Sequence, residues 1–188
     1  AGLRDVNARV RLISAWGLAR LGKKDLAPQI LPLTNDTDPL VSNVAINSIV
    51  SLKAIHPALK DLSPGALKAL KQIHDVAVVE GLTDALAKTQ DPIKRGQILG
   101  AICRLYFEEA EWDGTWWNTR PDTTGPYYKP VEWSGTPAVR NVIEHALATE
   151  SEPVQRTLLL ECAANRIDLP EVNQQFSKIA ATDPSFRD

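Results

Sequence analysis

The sequence predicts an all-α protein made of stacked antiparallel helix pairs, and three observations predict it. Apolar residues recur at steps of four, four and three along several segments. An acidic residue with a turn stands at the head of each such segment. The same head-and-stripe unit returns along the chain, which is the mark of a repeat architecture.

The elements follow in order. Asp5-Val6-Asn7-Ala8-Arg9 precedes Val10, Ser14, Leu18 and Leu21, and the stripe closes at Gly22. Residues 26–33 form a short apolar run ahead of the turn Asn35-Asp36-Thr37-Asp38. Asp38-Pro39-Leu40-Val41 opens a helix with Val41, Ala45, Ile49 and Leu52 on one face. Residues 64–74 and 76–88 read as two further helices, burying Leu67, Leu70 and Ile73, then Val78, Val79, Leu82 and Leu86. Asp91-Pro92-Ile93-Lys94-Arg95 opens the next, with Ile98, Ile102 and Leu105 as its stripe. Residues 137–148 carry Val139, Val142, Ile143, Ala146 and Leu147; Glu152-Pro153-Val154 heads a weaker copy with Val154, Leu158 and Cys162; residues 170–181 form the last complete helix.

The Asp-Pro pair has a mechanical explanation. Aspartate at the N-cap accepts bonds from backbone N–H groups that lack helical partners, and its charge suits the positive helix end. Proline at the first helical position lacks an N–H that would be unsatisfied there, and its φ is already set. The pair stands at Asp38, Asp91 and Asp183, and Asp183-Pro184 with Arg187 repeats the spacing of Asp91 to Arg95. With no methionine in the chain, the sequence reads as one interior segment, residues 1–188, of a longer stack with roughly 30 to 50 residues per helix pair.

This pattern resembles the HEAT-repeat family in its short bacterial form, which carries Asp-x-x-x-Arg-Val-Arg at the turn into the second helix of a pair. Asp5-Val6-Asn7-Ala8-Arg9-Val10-Arg11, with Leu18, Leu21 and Gly22, is the nearest match, and the resemblance covers most of residues 1–105 and 137–188. Ser42 and Lys94 depart from the family pattern. The resemblance implies an α-α superhelix and a protein-binding role.

Residues 107–136 interrupt the repeat. Four of the five tryptophans and two of the three tyrosines fall there, among glycines and prolines that exclude a regular helix or central strand. A loop of this length in a compact domain is functional or disordered as a rule, and its aromatic density argues against disorder. Two readings stay open. The rings pack on the helices as an ordered loop, or some of them form a recognition surface for a protein or a sugar. Trp112, Trp116, Trp117, Arg120, Asp122, Tyr127, Tyr128 and Trp133 are the candidate binding residues; Arg120 and Asp122 either pair with each other or meet a ligand.

The run from Gly114-Thr115-Trp116-Trp117 to Gly125-Pro126-Tyr127-Tyr128 is similar to an insert in the HEAT section of large secreted bacterial proteins. Those proteins join a sugar-dehydrogenase-like β-propeller to HEAT repeats and a c-type cytochrome domain. The resemblance implies a periplasmic or secreted location and neighbouring domains or subunits as partners. It also implies redox chemistry on the other domains and no cofactor on this segment.

Catalytic motifs are absent from the sequence. There is no glycine-rich phosphate loop, no Gly-x-Ser-x-Gly and no His-Glu-x-x-His, and His56, His74 and His145 lack a second ligand at metal-site spacing. His56 beside Pro57 is expected at a helix end, and Glu108, Glu109 and Glu111 on a solvated helix end. Cys103 and Cys162 fall in apolar helical stretches as buried free thiols, with a disulfide the alternative in an oxidising compartment. Asn35-Asp36-Thr37 fits a glycosylation sequon. A net charge of −2 gives no electrostatic case for nucleic acid or an anionic membrane, and no apolar run approaches the roughly 18 residues of a membrane span. The expected function is a non-catalytic protein-interaction scaffold; the alternative is a carbohydrate or small-ligand binding module that uses the insert.

Overall fold

The computed structural model describes residues 2–111 and 129–183. The protein is all-α: the described residues hold ten α-helices, three 3-10 turns and one pair of two-residue strands. No described helix is long and apolar enough to cross a membrane. The chain divides into two units, Ala1–Ala85 and Leu86–Asp188.

In the first unit, α1 (Ala8–Arg20) is capped by Asn7, whose side chain accepts from the Arg9 N–H. Asp5, the expected cap, sits two residues before it and accepts from the Asn7 N–H at 2.8 Å. The same device recurs where Asp36 accepts from the N–H of Asp38 and Asp61 from that of Ser63. Each aspartate turns the chain into the residue that caps the next helix. Asp38 caps α3 (Pro39–Ser51) through the N–H groups of Leu40 and Val41, with Pro39 in the first turn as the sequence predicts. Ser63 caps α5 (Pro64–Leu70) through the Ala66 N–H.

Residues 26–33 do not make one helix. A single turn, α2 (Ala27–Ile30), lies between 3-10 turns at residues 24–26 and 31–35. Pro28 and Pro32 remove two backbone donors from so short a run, which explains the broken geometry. A helix that the sequence reading lacks, α4 (Ile55–Asp61), follows Lys53 at φ 47°. His56 and Pro57 therefore stand at a helix end, in the first turn of α4. The helix expected over 64–74 stops at Leu70, and the chain turns so that Ile73 comes back into the core, 4% exposed. α6 (Val76–Lys88) starts after Asp75, which accepts from the Ala77 N–H, and runs through the boundary between the units.

Within this unit α3 packs on α1, on the 3-10 turn at 31–35 and on α5. Val41, Ala45, Ile49 and Leu52 are all buried on it, as the stripe predicts. Gly65 lies so close to the 31–35 turn that a Cβ there would stand 2.3 Å from the Thr34 carbonyl oxygen. The stripe of α1 is a correction. Val10 and Leu21 are exposed, Ser14 and Leu18 are half-buried, and Ala15 is the residue buried against α3. α1 meets its neighbour through a small side chain, so its large apolar residues point elsewhere.

In the second unit, Asp91 caps α7 (Pro92–Arg104) through the N–H groups of Ile93 and Lys94. α8 (Thr136–Thr149), α9 (Glu152–Ala164) and α10 (Pro170–Thr182) follow. The N-cap of α9 is Ser151, so Glu152 is its first helical residue rather than its cap. α7 packs on α9 and α8 on α10, each helix touching its second neighbour in sequence. Ile98, Leu99, Ile102, Leu105, Ile143, Leu158 and Leu159 are fully buried between them.

In α7 and α9 an arginine near the helix start ties the helix to a segment further along the chain. Arg95, four residues after its cap, donates to the Leu86 and Thr89 carbonyls behind it and to Glu150 ahead of α9. Arg156 of α9 donates to Glu152 and, at 2.7 Å, to Asp183. α3 carries Ser42 at the corresponding place, and its hydroxyl reaches only back, to the Thr34 carbonyl at 2.7 Å. Forward contact is made instead by Asn35, which donates to Ser63 and accepts from the Gly65 N–H. The Asn35 amide of the sequon is thus a bridge between two turns.

Candidate functional site

The insert leaves the body of the protein between α7 and α8, and its two ends are brought together there. β1 (Glu108–Glu109) pairs antiparallel with β2 (Pro130–Val131), Glu108 opposite Val131 and Glu109 opposite Pro130. The Ala110 N–H extends the pairing to the Lys129 carbonyl at 2.8 Å. Glu108 and Glu109 therefore belong to a strand and not to a helix end. α7 has already stopped at Arg104, and Pro130, which lacks an N–H, is tolerated in so short an edge strand.

Of the candidate binding residues, Trp112, Trp116, Trp117, Arg120, Asp122, Tyr127 and Tyr128 lie outside the described residues. Trp133 is described. Its indole N–H donates to the Leu105 carbonyl at 2.7 Å, satisfying a group left over at the end of α7. Its ring covers Gly135, where a Cβ would lie 2.4 Å from two ring carbons, so that position has room for glycine only. Trp133 works here as an anchor.

Thr136 locks the same junction. It is fully buried, and its hydroxyl accepts from the Trp133 N–H at 3.0 Å and donates to the Tyr106 carbonyl at 2.6 Å. A buried hydroxyl with both functions used costs nothing in unmet bonds. From α8, Arg140 donates to the Tyr106 hydroxyl at 2.9 Å and to Glu132 at 3.1 Å, with its guanidinium 5.9 Å from the centre of the Tyr106 ring. The hydrogen bond to Tyr106 is the main cause that raises the Arg140 pKa. Tyr106 meets Phe107 edge to face, with ring centres 4.7 Å apart.

These contacts make a pedestal for the two ends of the insert. Tyr106, Thr136 and Arg140 are absent from the sequence reading. The available signal is position, since Tyr106 directly follows the α7 stripe and Thr136 directly precedes Pro137. His56 and His145 are exposed on separate helices, and among the described residues no three His, Cys, Asp or Glu side chains gather as a metal site.

A second surface lies on the first unit. A groove of about 480 Å³ between α1 and α3 is lined by Trp16, Ala19, Arg20, Val44, Asn47 and Ser51. Trp16 is half exposed, and the Arg20 guanidinium stands 5.0 Å from the centre of its ring. Trp16 falls off the four-four-three stripe of α1, the one hint of its outward position in the sequence. No protein-family model matches the chain, and no curated protein matches it in sequence.

Proposed function

We propose that this chain is a segment of a HEAT-type α-solenoid that serves as a non-catalytic docking scaffold. Its aromatic insert is the part that meets a neighbouring domain or subunit. The observation that carries this reading is the pinned base of the insert: the strand pair, the Trp133 indole on Leu105 and the Thr136 bridge to Tyr106. A recognition loop works when a rigid body fixes where it starts and ends, because less ordering entropy is then lost on binding. Trp and Tyr between those ends supply large contact area at low entropic cost.

The solenoid reading draws support from packing within each unit. α1, α3 and α5 follow one another in contact, as do α7 with α9 and α8 with α10. Arg11 and Arg95 each bridge back to the turn before their own helix and forward to a later one, and Arg156 repeats the forward bond, to Asp183, while it also bonds Glu152 of its own helix. The wider setting, a periplasmic or secreted assembly with its redox chemistry on other domains, rests on the resemblance of the insert alone.

The experiment replaces Trp116, Trp117, Tyr127 and Tyr128 together by serine in the full-length protein. Retained melting temperature with detachment of the neighbouring domain or subunit, read by limited proteolysis and size-exclusion chromatography, supports the scaffold. Unchanged attachment, or loss of binding to an oligosaccharide with attachment intact, overturns it.

A further inference from the structure

We propose that Cys103 and Cys162 form a dithiol site that a disulfide-bearing oxidant closes into an intramolecular disulfide, stapling α7 to α9 at the base of the insert. The protein has two cysteines in 188 residues, and they meet across one helix seam although 59 positions apart. Their Sγ atoms stand 3.9 Å apart, and both side chains are fully buried. A bonded pair needs about 2 Å, a gap that rotation about the two Cα–Cβ bonds can close when the backbones are near enough.

The seam supplies that nearness. Gly96 and Gly100 lie one turn apart on α7, facing Thr157 and Glu161 of α9. A Cβ at Gly96 would stand 3.1 Å from Thr157 Cγ2, and one at Gly100 2.9 Å from Glu161 Cδ. Glycine at both places lets the helices approach until side-chain atoms of α9 touch the α7 backbone. Cys103 continues this row three residues on, and Cys162 follows Glu161 directly. The pair therefore sits in the same α7–α9 seam as the two glycines.

The chemistry is thiol–disulfide exchange. One cysteine thiolate attacks an external disulfide R–S–S–R, forming a mixed disulfide and releasing R–S⁻. The second cysteine thiolate attacks the protein sulfur of that mixed disulfide, forms the Cys103–Cys162 bond and expels the other R–S⁻. The two departing thiolates take up the two cysteine protons. One external disulfide is reduced to two thiols, and the protein dithiol is oxidised.

In the closed fold the pair is slow to react. The hydrogen bond to Cys162, and then burial, push the Cys103 thiol well up from its ordinary value, so little thiolate forms. Access comes from opening of the last helical turns, where Ala163 and Ala164 beside Cys162 are exposed, or before the seam closes during folding. The consequence falls on the insert: Cys103 precedes Leu105, whose carbonyl holds Trp133. A staple at Cys103 fixes the end of α7 that carries that carbonyl.

The test treats the full-length protein with glutathione disulfide, once as the native protein and once during refolding from denaturant. Expected is a monomer lighter by two hydrogen atoms, with one peptide pair linking Cys103 to Cys162 and both thiols restored by dithiothreitol. Melting of the second unit should rise by roughly 5 to 15 °C in the oxidised form, and Cys103→Ser and Cys162→Ser should show neither effect. Two free thiols after the refolding arm, glutathione adducts on each cysteine, or disulfide-linked dimers overturn the proposal. So does a closed disulfide that lowers the melting temperature.

Discussion

Arg11 holds Asp36 in a two-pronged ion pair, Nε on Oδ2 and Nη2 on Oδ1, each at 2.8 Å. Its remaining amino group donates backward to the carbonyls of Asp5 and Val6. One side chain thus fastens the turn before α1 and the turn before α3. Asp36 is itself committed to the Asp38 N–H, so the pair also orients the cap of α3. The planar guanidinium fork is what allows four bonds in two directions, which a lysine ammonium cannot match.

The pH response of the first unit follows from this pair. The hydrogen bond from Arg11, ahead of all other causes, lowers the Asp36 pKa, while burial opposes it. A depressed folded-state pKa gives stability that is present above the unfolded value of about 3.9 and is lost as pH falls through the folded value. Asp36→Asn should therefore melt below the natural protein at neutral pH, and the gap should close as the pH drops below about 4. Thermal melts of both proteins across that range check it. A gap that persists undiminished at acid pH contradicts the pairing.

Arg95→Met removes the bridge to Glu150 and leaves the Leu86 and Thr89 carbonyls without it. The expected loss is about 1 to 3 kcal/mol by denaturant titration, because one half-buried partner remains charged. Arg95→Lys should recover only part of that loss.

Two glycines should respond with opposite sign. Gly65→Ala drives a Cβ against the Thr34 carbonyl and should cost about 1 to 3 kcal/mol or more. Gly17→Ala, in the middle of α1 with open space around it, should stabilise by about 0.5 to 1 kcal/mol. Equilibrium unfolding of the two variants side by side decides both.

Trp133→Phe deletes the indole donor to Leu105 together with the distal ring carbons that cover Gly135. A loss of about 1 to 3 kcal/mol is expected, with faster amide exchange confined to residues near 105 and 133. The same replacement at Trp116 or Trp117 should leave unfolding unaltered if those rings face a partner.

The helix starts were the most legible part of the sequence. Asp38-Pro39 and Asp91-Pro92 do at the head of α3 and α7 what N-cap chemistry requires, and the stripes behind them are the buried faces. Where spacing alone was the guide, it slipped. Asp5 belongs to the turn before the cap, and only the bonds of Asn7 reveal which residue faces the helix. α4 carries His56-Pro57 in its first turn, where proline is tolerated, so the dipeptide marks a start as readily as a stop. The anchor at Trp133 joins residues 28 positions apart, and no local pattern encodes such a contact.

The most direct measurement of the central claim is lysine cross-linking of the full-length protein, read by mass spectrometry from Lys129 at the foot of the insert. The docking account predicts cross-links from Lys129 to residues outside 1–188 or in another chain, lost when Trp116, Trp117, Tyr127 and Tyr128 are replaced. Cross-links from Lys129 confined to residues 1–188 of the same chain would contradict it.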